Sequence, residues 1–218
     1  MLLLALDTAT PSVTVALHDG SRVLAGQTEV TARKHGELLA GMIERVLAAS
    51  GTARTDLDAI AVGTGPGPYT GLRAGLVTAK VLASALDLPV VGVCSLDVIA
   101  REAAASAAGR EFIVATDARR KEVYWARYAP AGHRIAGPAV AAPAEVTWDA
   151  GPVAGEGGYL YPELAACTIP PRYPDAARLA EIAAAHLAGH VPLEPAEPLY
   201  LRRPDARVPG KPKRVTPC

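Results

Sequence analysis

The residues best equipped for chemistry are two aspartates, a glycine-proline turn and a pair of histidines. Asp7 closes the apolar run 2–6, and Asp117 closes a second apolar run at 111–116. One carboxylate from each half of a chain can hold a magnesium ion between two lobes. The same side chains can instead accept backbone N–H groups and cap the strand-to-strand turns that follow them. The run GTGPGPYTGLR at 63–73 leaves a short strand and opens a helix, the place where a phosphate docks on backbone N–H groups. Pro66 and Pro68 have no N–H to donate, the spacing is not G-x-G-x-x-G, and no Gly-Lys-Ser/Thr follows. The alternative is a rigid strand-to-helix corner in which Thr70 caps the helix, although three glycines and two prolines within 63–68 are more than a plain corner requires.

His186 and His190 lie four apart near a helix end, which would put two imidazoles on one face as metal ligands. Gly189 and Pro192 fray the helix there, and no acidic or cysteine ligand lies within two residues. His35 precedes a helix and is expected to cap it or pack locally. No G-x-S-x-G elbow, H-E-x-x-H or Walker signature occurs. Cys94, Cys167 and Cys218 lack C-x-x-C spacing, so neither a disulfide framework nor a thiolate zinc site is expected, and a reducing cytoplasm fits them best.

The elements that must position these residues alternate between strand and helix periodicity, the mark of mixed α/β layers. Strands are expected at 2–6, 12–17 and 22–30, with Asp19-Gly20 as the hairpin turn between the last two. Helices follow at 35–50, stopped by Gly51, at 69–86 and at 96–108, with strands at 59–62 and 90–93 between them. The order then restarts with strands at 111–116, 122–128 and 134–140. A strand at 152–154 and an Ala-rich helix at 175–187 follow, while 151–174 holds too many Gly and Pro to assign. A meander followed by αβα units, used twice, implies two duplicated lobes, 1–108 and 109–201, with a Pro-rich basic tail at 202–218 that is expected to be mostly disordered.

Charge narrows the partners. The 22 basic and 22 acidic residues balance, so no broad basic field exists and any RNA contact is local or belongs to a partner. No stretch reaches about 18 uncharged apolar residues, and Met1 runs through an apolar segment straight into Asp7 without a basic flank, so neither a membrane span nor a secretory signal is expected. Along the helix at 69–86, Gly71, Gly75, Ala79 and Ala83 make a stripe without bulk. The preceding helix carries apolar columns 38/42/46 and 39/43/47, wider than one buried face needs. The stripe seats either the chain's own sheet or a helix of another chain. The contact set expected for a partner is Leu39, Met42, Ile43, Val46, Gly71, Gly75, Ala79 and Ala83.

Five segments resemble the TsaB (YeaZ) family, bacterial subunits of the machinery that installs threonylcarbamoyladenosine beside the tRNA anticodon. They are LALDTAT at 4–10, KHGELL at 34–39, GTGPGPYTGLRAGL at 63–76, PVVGVCSL at 89–96 and DARRKEVYWARY at 117–128, with a weaker PLYLR at 198–202. Pro68-Tyr69 stand where the family's pattern has Ser-Phe. The resemblance implies an actin-like ATPase fold of the sugar kinase, Hsp70 and ribonuclease H-like class. It also implies a missing active site: the related catalytic subunit TsaD has a His-His-x-x-Gly-His cluster after the strand equivalent to 89–93. This chain has Cys94 to Ile99 there, with Ser95 and Ile99 in place of two metal-binding imidazoles. By that resemblance the chain has no catalytic residue and no metal or cofactor of its own, ATP/ADP and metal residing on partner subunits. The family's older glycoprotease label has no residue support here. The implied partners are a TsaD-like subunit met through the first two helices, a TsaE-like ATPase, tRNA through the complex, and a second copy of the chain on the same face. The rival readings are a self-sufficient actin-fold kinase or metal-dependent hydrolase acting through Asp7 and Asp117, and an RNA-binding module acting through the basic tail 202–214.

Overall fold

The computed structural model describes residues 1–31, 34–148, 151–189 and 194–202. Its strands form two five-stranded sheets. In the first, β1 (Leu3–Asp7) pairs antiparallel with β2 (Ser12–His18), and β2 pairs antiparallel with β3 (Val23–Val30); β4 (Ala59–Gly63) and β5 (Val90–Val93) add in parallel on the other side of β1. The order is β3-β2-β1-β4-β5. The second sheet repeats it with β6 (Phe112–Asp117), β7 (Val123–Tyr128), β8 (Arg134–Ala141), β9 (Pro152–Ala154) and β10 (Cys167–Ile169), in the order β10-β9-β6-β7-β8. A meander continued by parallel strands, built twice, is the duplicated α/β architecture of the actin-like class.

The continuous apolar run of β1 is explained by cover on both faces. Leu4 and Leu6 pack into a core with Leu39, Met42 and Val46 of α1 (His35–Ser50) and Leu72 and Leu76 of α2 (Tyr69–Leu86). Leu3 and Ala5 point the other way, against Leu179, Ala180 and Ala183 of α5 (Ala176–Leu187). That helix comes from the far end of the chain, so the second half completes the first sheet. The exchange is mutual: Leu96, Ile99 and Ala103 of α3 (Ser95–Ser106) share a core with Phe112, Val114 and Tyr128. Gly51 stops α1 in the left-handed conformation, its N–H and that of Thr52 reaching back to the Ala48 and Leu47 carbonyls. The Asp175 carboxylate caps α5 by accepting from the Ala177 N–H at 2.7 Å.

Two expectations are corrected. Thr70 does not cap α2; Pro68 occupies that place without a side-chain cap, and Thr70 lies exposed in the first turn. The Gly-rich stretch at 151–174 holds a short helix, α4 (Glu156–Leu160), and the strand β10. Its glycines answer to packing rather than to a loop: a Cβ on Gly155 would lie 2.3 Å from the Ala115 carbonyl oxygen, and one on Gly157 2.7 Å from the Ala115 Cβ. Leu39, Met42, Ile43, Val46, Gly71, Gly75, Ala79 and Ala83, the contact set expected for a partner, are all buried in the chain's own core. The stripe without bulk seats Thr8: its hydroxyl donates to the Gly71 carbonyl at 2.7 Å and accepts from the Gly75 N–H at 3.0 Å. The disorder expected of the tail concerns residues that, from 203 onward, lie outside those described, as do Cys218 and His190.

Candidate functional site

Asp7 sits at the end of β1 with no exposed surface. Its Oδ1 accepts from the Ala9 N–H at 2.7 Å, and its Oδ2 accepts from the Ser95 hydroxyl at 2.6 Å. Ser95 opens α3 and its Oγ also accepts from the Gly65 N–H at 3.2 Å. One carboxylate therefore joins the β1 turn, the glycine-proline turn and the third helix. Burial pushes the Asp7 carboxyl up to about 6, against the opposing pull of Ser95, the Ala9 N–H and His35. His35 packs locally, its Nε2 2.9 Å from the Thr10 carbonyl.

The glycines of the 63–68 turn make room for this arrangement. A Cβ on Gly63 would lie 1.9 Å from Asp7 Oδ2, and one on Gly67 2.1 Å from the Ala9 carbonyl oxygen. The turn's Thr64 N–H donates to the Val93 carbonyl and the Gly65 N–H to Ser95, so these donors serve the chain itself rather than a phosphate.

Asp117 repeats the motif at the end of β6. Its Oδ1 accepts from the Arg119 N–H at 2.8 Å and its Oδ2 pairs with the Arg119 guanidinium at 3.1 Å. Each aspartate thus closes the turn after its strand, as the turn-capping alternative holds. After Asp117, Arg119, Arg120 and Lys121 all take left-handed backbone (φ 63°, 56° and 61°). Such residues cost of order 1 kcal/mol apiece. The Asp117 contacts, the Ala118-to-Glu122 and Glu122-to-Arg119 backbone bonds, and an Arg202–Glu122 ion pair hold them there. A cavity of about 640 Å3 runs between the halves, with Thr8, Thr10, His35 and Thr70 on one side and Arg119 on the other.

Two half-buried networks carry no sequence motif. Glu156 opens α4 and accepts from Arg172 at 3.1 Å and from the Tyr173 hydroxyl at 2.6 Å; burial, then this bond, pushes the Tyr173 hydroxyl up to about 12. Asp97 accepts from the Tyr128 hydroxyl at 2.7 Å and faces Arg134 at 3.6 Å. Burial raises the Asp97 carboxyl despite both partners. Among the described residues no three His, Cys, Asp or Glu side chains come together as a metal set, and no helix is long and apolar enough to cross a membrane. His186 is described and its Nδ1 has no hydrogen-bond partner among the described residues. Ser95 is engaged with Asp7, and Ile99 is core.

The outer face of α2 differs from the inner one. Tyr69, Arg73, Val77, Val81 and Ala85 recur every fourth residue and are all exposed, Val77 at 53% and Val81 at 62%. The small-residue stripe marks the opposite face of α2, so it gives no sign of this column; the sequence signal is Val77 and Val81, four apart and off the stripe.

A family model described as TsaD, tRNA N6-adenosine threonylcarbamoyltransferase, matches residues 23–167. An uncharacterized protein of Mycobacterium tuberculosis is 46% identical over 212 residues, covering 94% of this chain and 93% of its own length. The tRNA threonylcarbamoyladenosine biosynthesis protein TsaB of Escherichia coli is 41% identical over 128 residues, 59% of this chain and 55% of that protein. The solved structure of YeaZ from Pseudomonas aeruginosa superposes with a TM-score of 0.78 at 33% identity, covering 92% of this chain and 99% of that one.

Proposed function

This chain belongs to the TsaB (YeaZ) family, and from that premise we propose that it takes part in forming threonylcarbamoyladenosine in tRNA, as a non-catalytic subunit that pairs with a TsaD-like transferase. The observation that carries the pairing is the exposed column on α2, where Val77 and Val81 put apolar surface in water one helical turn apart. The inner face of the same helix is locked to the sheet through Thr8, so the outer face is presented on a rigid support. The non-catalytic reading is supported by the state of the strongest chemical candidate: Asp7 is sealed and bonded on both oxygens by this chain's own groups. The chain then contributes binding energy and orientation to chemistry performed by its partner. ATP, ADP and metal reside on the TsaD-like and TsaE-like subunits in this reading, and tRNA is met through the complex.

Reconstitution tests it. The full chain is combined with a TsaD-like subunit, a TsaE-like ATPase, threonylcarbamoyl-adenylate, ATP and tRNA, and the modified nucleoside is measured against a control lacking the chain. Product that depends on the chain, and that is lost with Val77→Arg/Val81→Arg, supports the reading. Equal product without the chain, or brisk ATP turnover by the chain alone that Asp7→Ala abolishes, overturns it.

A further inference from the structure

A second cavity, of about 510 Å3, lies between the start of α2, the turn joining β6 to β7, and the segment 199–202. Its walls carry Tyr69, Tyr124, Tyr200, Arg119, Arg120 and Arg202, and among the described residues no carboxylate lines it. Seven tyrosines occur in the whole chain, so three around one cavity is a concentration. Tyr69 and Tyr200 stack with centroids 5.6 Å apart and planes 27° apart, yet remain 57% and 50% exposed. Half-exposed stacked rings leave apolar faces in water that a third ring would cover. The separation leaves no room for a ring between them, and the Arg73 guanidinium already lies 4.9 Å over Tyr69. Tyr200 is therefore the platform left for a ligand.

The cationic side is preorganised. Arg119 is held by Asp117 and Arg202 by Glu122, and both carboxylates lie outside the cavity lining. A guanidinium has five N–H donors, so a single ion pair fixes its direction and leaves donors for a second anion. A platform for a flat ring beside fixed guanidinium groups, in a cavity of ligand size, is complementary to a base joined to a phosphate.

We propose that this cavity binds a nucleotide unit, its base stacked on Tyr200 and its phosphate held by the arginines of the 119–120 turn and Arg202. The unit comes either from a free mononucleotide or from an unpaired nucleotide of RNA. The site belongs to this chain alone and does not depend on the pairing proposed above.

The test is calorimetric titration of the full chain with AMP, adenosine, ribose 5-phosphate and a short single-stranded adenosine oligonucleotide, for the unaltered chain and for Tyr200→Ala and Tyr200→Phe. Support is saturable binding of AMP or the oligonucleotide, roughly tenfold or more weakened by Tyr200→Ala, kept by Tyr200→Phe, and falling as salt rises. Binding by AMP identifies a free nucleotide as the source; binding by the oligonucleotide alone identifies RNA. Absence of binding by either, ribose 5-phosphate binding as tightly as AMP, or a Tyr200→Ala chain that binds normally overturns the proposal. Should Tyr200→Ala fail to fold, photolabelling of the unaltered chain with azido-AMP decides: label on 118–124 or 199–202 supports the site, and label elsewhere or none overturns it.

Discussion

Replacing Gly75 by alanine sets two quantifiable effects against each other. In an exposed helix interior the change would stabilise by about 1 kcal/mol, because alanine loses less backbone entropy on folding. Here the new Cβ would stand 2.5 Å from Thr8 Oγ1 and 3.4 Å from Leu6 Cδ1, and it would push away the hydroxyl that accepts the Gly75 N–H. Overpacking of this kind costs about 1–3 kcal/mol, and losing a buried hydrogen bond about 1 kcal/mol more. Destabilisation therefore wins by about 1–3 kcal/mol, which for a chain of this length lowers the unfolding midpoint by roughly 3–10 °C. Thermal and urea unfolding of Gly75→Ala measure it. Gly36→Ala is the control: nothing lies within 4 Å of its Cβ position, so that change is expected to be neutral or stabilising by up to about 1 kcal/mol. Combining Gly75→Ala with Thr8→Ala should recover part of the loss, since the two positions touch. A Gly75→Ala chain that unfolds at or above the wild-type temperature, whatever its effect on association, would refute the assignment of the stripe to the core.

Three further outcomes follow from the geometry. The Asp7 carboxyl, raised from 3.8 to about 6 by burial, keeps its proton in the folded chain across pH values where the unfolded chain has released it. Folding stability should therefore fall as pH rises from about 4 to about 6, by about 3 kcal/mol from this group, and level off above. Asp7→Asn should remove that slope from the difference between paired urea titrations, and an unchanged slope would contradict the assignment. Val77→Arg/Val81→Arg, on an exposed face, should shift stability by less than about 0.5 kcal/mol while abolishing association with a TsaD-like subunit by size-exclusion chromatography; retained association would move the partner surface off α2. Asp175→Ala should cost about 1 kcal/mol through loss of the α5 cap, read as a lower urea midpoint, and no change would mean that the end of α5 is held by packing alone.

Local signals were readable where one residue type decides one conformation. α1 and α2 span the residues that their apolar periodicity predicts, and Gly51 ends α1 as a left-handed cap. The duplication was readable because Asp7 and Asp117 do the same job at the same place in each meander. What could not be read was decided by distant partners. A glycine needed for close approach to Ala115 looks like a loop glycine, which hid α4. A small-residue stripe looks the same whether the surface pressed against it is the chain's own Thr8 or a foreign helix. Nothing in the residues around Ser95 announces that its hydroxyl will meet a carboxylate 88 positions away.

The placement of α5 gives the second half of the chain a structural task in the first, although the helix between its own parallel strands is only five residues long. β1 carries Thr8 just beyond its end, and Thr8 fixes the height of α2 on the sheet. The opposite face of β1 would lie bare without Leu179, Ala180 and Ala183. Those residues reach β1 only because the chain first builds the second sheet, and the Ala176 N–H then bonds the Thr14 hydroxyl on β2 at 3.0 Å. Stripping Leu3 and Ala5 of cover would cost apolar burial at about 25 cal/mol per Å2 on the strand that supports α2. The exposed column on α2 therefore depends for its rigidity on residues about a hundred positions further on, and truncation before 176 should loosen that surface before it touches any residue on it.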